Sequence, residues 1–306
     1  MIDTIGIFIE NQELSDLSSL KALNYNSNVN GEVVTYAKLN NLKVRQNDFG
    51  IGIKGSLPKY YFGNNLAILS RKETEEAINN ISDELHLNIN NGNVYRLDIG
   101  QNFTMKQDLS NYLALLGNSR YYKKTTFYDK ETILYSNKQR AKEFYNKYKE
   151  LKNKKVPIPE GFENENILRF ETRVLKRLKN NFGDTVKVSR LYDESFYQKA
   201  IDKWQAEYFN IEKLKDKKLI NPEEMKMMNV KRLLNQLSYI GLKQIGETEL
   251  IEMLNIARQG KQIDRFVYGR LKTKIKELGN LPEFTSPNEA IEELDKKIIY
   301  ATKHYR

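Results

Sequence analysis

The sequence predicts an α+β chain: a largely antiparallel sheet with helices on one face, followed by an all-α C-terminal domain. Three observations carry this. Residues 167–173 and 95–99 alternate apolar and charged side chains with period two, as strands with one buried face do. Ser70, with Glu73 at capping-box spacing, opens a helix to about Leu85 that carries Ala77, Ile78, Ile81 and Leu85 on one side. Beyond about residue 190, Gly and Pro thin out and the apolar spacing changes to 3.6.

In chain order, residues 1 to about 55 read as short strands, the first within residues 1–10, with turns at 28–31 and 47–50. Residues 54–65 carry Gly, Pro and Asn and read as a loop. The Ser70 helix and the Asp98 strand follow, giving the strand–helix–strand order of an α/β plait. A helix near 109–116, a strand at 132–135 and the Glu171 strand complete the unit. Residues 156–166, with Pro157, Pro159 and Gly161, read as a loop. A boundary within 185–195 divides the chain into 1–190 and 191–306. In the second part residues 230–242, 247–258 and 263–278 have helical spacing, and Trp204 reads as core.

The chain has 306 residues and a formal net charge of +10, which points to a polyanionic partner. It has no Cys, so disulfides and zinc–thiolate sites are excluded. Its two histidines, His86 and His304, lie far apart, which argues against a His-cluster metal site or a Ser/His/Asp triad. No window approaches 18 apolar residues, and the first ten residues lack the basic segment of a signal peptide. The expectation is a cytoplasmic protein without a membrane partner.

Two strand faces carry the chemistry. Arg169, Glu171 and Arg173 share one, and Arg96 and Asp98 share the other. A carboxylate set between arginines suits a divalent cation held against phosphate, or a plain ion-pair network across a sheet. Residues 138–155 hold eight Lys/Arg against two Glu. Ala141, Phe144, Tyr145, Tyr148 and Leu151 recur at helical spacing there. Equally, 132–137 and 142–147 make a hairpin with Tyr145 and Lys147 on one face. Lys54, Ser56 and Lys59 read as phosphate contacts or as an ordinary charged loop.

The segments YRLDIG (95–100), KGSLPKYYFGNN (54–65), FYNKYKEL (144–151) and ILRFETR (167–173) resemble, in order and approximate spacing, the motifs of the gene II/X family of phage and plasmid replication initiators. The resemblance covers roughly residues 1–185 and implies a Rep-like plait. It implies that Tyr145, followed by Lys147, attacks a DNA phosphate, and that Arg96, Asp98, Arg169, Glu171 and Arg173 occupy the family's other motifs. The implied reaction nicks one strand at an origin, leaves the 5′ phosphate on tyrosine, and frees a 3′-OH for rolling-circle synthesis. It further implies origin DNA, a host helicase and a DNA polymerase as partners.

Elementary chemistry agrees. A phenol of pKa ~10 needs a nearby cation to act as a nucleophile at neutral pH, supplied by Lys147 or by a metal on Asp98 and Glu171. Oxygen ligands select Mg²⁺ or Mn²⁺ over Zn²⁺. The His-x-His metal site of many rolling-circle nickases is missing from the sequence. In the C-terminal part, Arg265 and Arg270 decorate the last of three helices, either a helix-turn-helix-like reader of the origin or a plain bundle. A non-catalytic DNA-binding regulator of the same fold is the alternative function. An RNA-binding plait would want aromatic residues on its open face, where the candidate faces carry Arg, Asp and Glu.

Overall fold

The computed structural model describes residues 1–10, 20–27, 33–128, 131–158, 162, 165–214, 216–217, 229–279, 285–286 and 288–305. The expected turn at 28–31, and Pro159 and Gly161 of the expected loop, lie outside these residues.

The first strands are β1 (Ile2–Glu10), β2 (Lys21–Ser27), β3 (Val33–Leu39), β4 (Leu42–Asn47) and β5 (Gly50–Ser56). Next come β6 (Asn93–Thr104), β7 (Leu116–Ser119), β8 (Lys123–Phe127), β9 (Thr132–Ser136), β10 (Arg140–Asn146), β11 (Ile167–Val174) and β12 (Ile211–Lys213). Ten of them form one antiparallel sheet in the order β2-β3-β4-β5-β1-β6-β11-β10-β9-β8. Strands β12 and β7 pair separately. The β4–β5 turn needs Gly50, whose φ is 146°; a Cβ there would lie 2.0 Å from the Ile9 carbonyl oxygen.

Helices α1 (Leu57–Phe62), α2 (Arg71–Leu85), α3 (Leu109–Ala114), α4 (Lys147–Asn153), α5 (Leu178–Phe182) and α6 (Glu194–Phe209) belong to the same unit. The capping box of α2 is present: Ser70 and Glu73 satisfy each other's backbone N–H. The segment expected to be a loop contains α1. Ser56 caps that helix, Pro58 sits in its first turn and Gly63 ends it in the left-handed region, φ 78°.

The boundary differs from the expected 190/191. Met1–Lys213 with Glu293–Arg306 form one compact unit, and Leu214–Glu292 the other. The reason is core cover. On α6, Trp204 is fully buried, 5.1 Å between ring centroids from Phe170 and 6.4 Å from Phe103, and Tyr208 packs 5.9 Å from Phe170. Tyr208 also donates to Asp295 of the C-terminal helix α10 (Glu289–His304), at 2.6 Å. A chain ending at residue 190 would expose Phe144 and Phe170, so it is expected to lack a cooperative thermal transition. Calorimetry of that truncation beside the full chain checks this; a sharp transition would show that α6 is dispensable.

In the second unit α7 (Val230–Ile245), α8 (Glu247–Gln259) and α9 (Arg265–Gly279) pack pairwise, close to the three expected spans. Arg265 and Arg270 are exposed on α9. Among the described residues no helix is long and apolar enough to cross a membrane.

Candidate active site

The two charged strands are neighbours. β11 pairs with β6 so that Glu171 faces Gly100 and Arg173 faces Asp98. Asp98 and Glu171 are therefore diagonal neighbours on one sheet face, the one opposite Phe170 and Trp204. On the other side of β11, strand β10 sets Tyr145 across from Arg169 and Glu143 across from Glu171. One face of three adjacent strands thus gathers Arg96, Asp98, Glu143, Tyr145, Arg169, Glu171 and Arg173.

Most of these groups are already paired. Arg169 is fully buried. It donates to Asp3 at 2.5 Å, to Glu171 at 3.1 Å and to Asn102 at 3.0 Å. Arg173 donates to the other Glu171 oxygen at 2.8 Å and also pairs with Glu143. Arg96 grips Asp98 through Nε at 3.0 Å and Nη2 at 2.5 Å. Gly100 leaves room for this network, since a Cβ there would meet Arg169 Nη2 at 2.7 Å. The side chains of Arg96 and Arg173 remain 23% and 27% exposed and are the guanidiniums open to a ligand.

Tyr145 lies near the end of β10, and the chain enters α4 at Lys147, with Asn146 as N-cap. The expected hairpin is present, with β9 paired to β10 as far as Tyr145, and only from Lys147 does the segment become helix. Tyr145 is half-buried and opens, with Glu143, Arg173, Glu150 and Lys154, onto a pocket of about 440 Å³. Burial pushes its phenol well above the ordinary range, against the lowering effect of Arg169. Lys147 is buried, its ammonium 5.9 Å from the centre of the Tyr145 ring. It donates to Asn65 and Glu150, each at 2.7 Å. Burial, helped by Arg169, brings its pKa down to about 8.

The remaining expected contacts are scattered. Lys54 is exposed on the open face and Lys59 is half-buried at α1. Ser56 is buried, donates to Asp3 at 2.5 Å and caps α1, so its hydroxyl is engaged within the protein. Arg169, fully buried, is no surface contact. Asp3 and Glu143 were not anticipated. Glu143 stands two residues before Tyr145, so strand periodicity signals it. Asp3 reaches the site where the β1–β6 register is irregular between Ile2 and Ile5, which no local pattern reveals.

Among the described residues no group of three or more His, Cys, Asp or Glu is disposed to hold a metal. Asp98 and Glu171 fit the smaller requirement of Mg²⁺ or Mn²⁺ bound against phosphate: one or two carboxylates, with water and substrate oxygens completing the shell. Both are engaged by arginine, so a cation would enter by exchange with a guanidinium contact.

The two carboxyls titrate in opposite senses. Burial pushes Asp98 up to about 7, against Arg96. Burial also opposes the charge on Glu171, but Arg169 and Arg173 outweigh it and hold that carboxyl down to about 2. An acid with a raised folded pKa stabilises most below its unfolded value of ~3.9, and that contribution falls as pH rises to about 7. Glu171 stabilises above ~4.3 and loses this as pH falls towards 2. In EDTA, Asp98→Asn is therefore expected to gain stability over the parent between pH 4 and 8, by ~1 kcal/mol or more at the upper end. Urea denaturation across that range checks it; an Asn variant less stable at pH 8 would contradict it.

A comparison with curated proteins finds no match to this chain. The family described as the N-terminal part of the gene II replication-associated protein matches residues 1–207, which span β1 to α6 and every residue of the site just described. The chain therefore belongs to that family, the gene II-like phage replication initiators.

Proposed function

We propose that this initiator is a metal-dependent, site-specific single-strand DNA endonuclease and ligase that starts rolling-circle replication. The observation that carries the reading is Tyr145, on a strand beside Arg169, open to the same pocket as Arg173 and Glu143. A non-catalytic DNA-binding regulator has no need for a tyrosine, a buried cation and a carboxylate–arginine network on one face.

In the proposed reaction the Tyr145 oxygen attacks phosphorus in line. The P–O3′ bond breaks, the 3′ oxygen leaves as a hydroxyl, and the 5′ phosphate remains on tyrosine. Attack of a 3′-OH on the phosphotyrosine reverses these steps and joins the strand. Arg173 neutralises charge on the non-bridging oxygens, and Lys147 supplies positive charge beside the phenol as its proton leaves. Mg²⁺ or Mn²⁺ on Asp98 and Glu171 would polarise the scissile phosphate. Arg169 positions Glu171 and Asp3. Arg96, Lys54 and Lys59 hold the DNA backbone, and Arg265 and Arg270 serve duplex origin recognition. The freed 3′-OH would prime a host polymerase, with a host helicase opening the duplex, in the cytoplasm. Supercoiled plasmid carrying the protein's own origin, with Mn²⁺, should yield nicked circles with protein on the 5′ end. Tight binding with no nick would support the regulator instead.

A further inference from the structure

The open face continues beyond the pocket, on β3, β4, β5 and β1. There Lys38 stands directly across from Lys43, Lys43 from Lys54, Lys54 from Gly6, and Gly6 from Arg96. Lys38, Lys43 and Lys54 are exposed, and none has an ion-pair partner among the described residues. Like charges directly opposite one another destabilise a sheet, so three in a row cost stability that no ion pair among the described residues offsets. The beneficiary is a polyanion.

A second row lies beside it, with Tyr36 across from Arg45, Arg45 from Gly52 and Gly52 from Phe8. Tyr36 is 40% exposed. Tyr95, 45% exposed, lies over Gly6 between the rows; a Cβ on Gly6 would meet its ring at 2.6 Å. Exposed rings beside a line of cations offer stacking to bases and charge to phosphates together, which suits single strands because their bases are free to stack. A duplex presents only its phosphates to such a flat face. From β3 to β6 the cation row spans four strand spacings, ~19 Å. It ends at Arg96, which grips Asp98 of the candidate site.

Resting on the reading above, we propose that this face is a single-stranded DNA track that leads one strand across β3, β4, β5 and β1 to the Tyr145 pocket. Lys38, Lys43 and Lys54 hold the phosphates, and Tyr36 and Tyr95 stack on bases.

The test uses the full chain, a fluorescent oligothymidylate and EDTA, so that binding is read without cleavage. Lys38→Gln/Lys43→Gln/Lys54→Gln should weaken binding ~10-fold or more and flatten the log affinity–log salt slope by about 2, at ~0.7 per single-strand contact. Its thermal transition should equal or exceed the parent's, since repulsion is removed. Tyr36→Ser/Tyr95→Ser should weaken binding ~5-fold or more with the slope unchanged. An unaltered slope in the triple variant, or a preference for duplex DNA or for single-stranded RNA, would overturn the track. Nicking is scored separately. A protein that binds by these residues yet never nicks keeps the track and loses the nuclease reading. Nicking with unaltered oligonucleotide binding does the reverse.

Discussion

Tyr145→Phe is expected to abolish nicking and covalent DNA attachment, by ~10⁴-fold or more, the scale on which loss of a covalent nucleophile acts. Binding of the origin should be unchanged. The phenol carries no hydrogen bond that the described residues provide, and Phe keeps the ring beside Lys147 and the strand pairing to Arg169. Stability should therefore change by no more than ~0.5 kcal/mol. Parallel plasmid-nicking, gel-shift and melting measurements separate the three quantities. If the Phe variant still nicks, the nucleophile is elsewhere, with Tyr148 on α4 the next candidate. If it unfolds, the hydroxyl has a structural role beyond its place in the pocket.

The largest stability effect is expected at Arg169. It is fully buried, and its removal strands two buried carboxylates, Asp3 and Glu171. Breaking a buried ion pair by removing one partner costs ~3–5 kcal/mol, because the remaining charge stays unpaired. Arg169→Met should therefore lower the melting temperature by about 10 °C. Arg173→Met, at a side chain that is 27% exposed, should cost much less, because water screens what remains. A loss at Arg169 below ~1 kcal/mol would mean that water enters the network or that the two carboxyls take up protons cheaply.

How far the sequence could be read depended on the range of each contact. The β6 and β11 strands were legible because alternation separates an apolar face from a charged one; that the charged face is itself buried at Asp98, Arg169 and Glu171 was not. The capping box of α2 is local and was legible for that reason. Tyr145 was harder. Residues 141–151 satisfy the helical period because their last part, from Lys147, is helix, while Ala141 to Tyr145 are strand; the Asn146 cap is the local sign of the change. The α1 helix was hidden by Gly and Pro, although Ser56 and Pro58 are its start signals and Gly63 its stop. Periodicity announces that α6 is a helix but not what it packs against, so the core role of Trp204 was legible and its place under the sheet was not. Asp3 depends on strand irregularity and a partner 166 residues away, which no window contains.

The central claim is that Tyr145 forms a phosphotyrosyl bond to the 5′ end of a nicked strand. The most direct measurement is to trap the reaction with Mn²⁺ on origin DNA, digest both components and locate the modified peptide by mass spectrometry. The expected result is a nucleotide on Tyr145, within the segment that joins β10 to α4, and none in Tyr145→Phe. A nucleotide on another tyrosine, or nicked DNA with no protein attached, would contradict it.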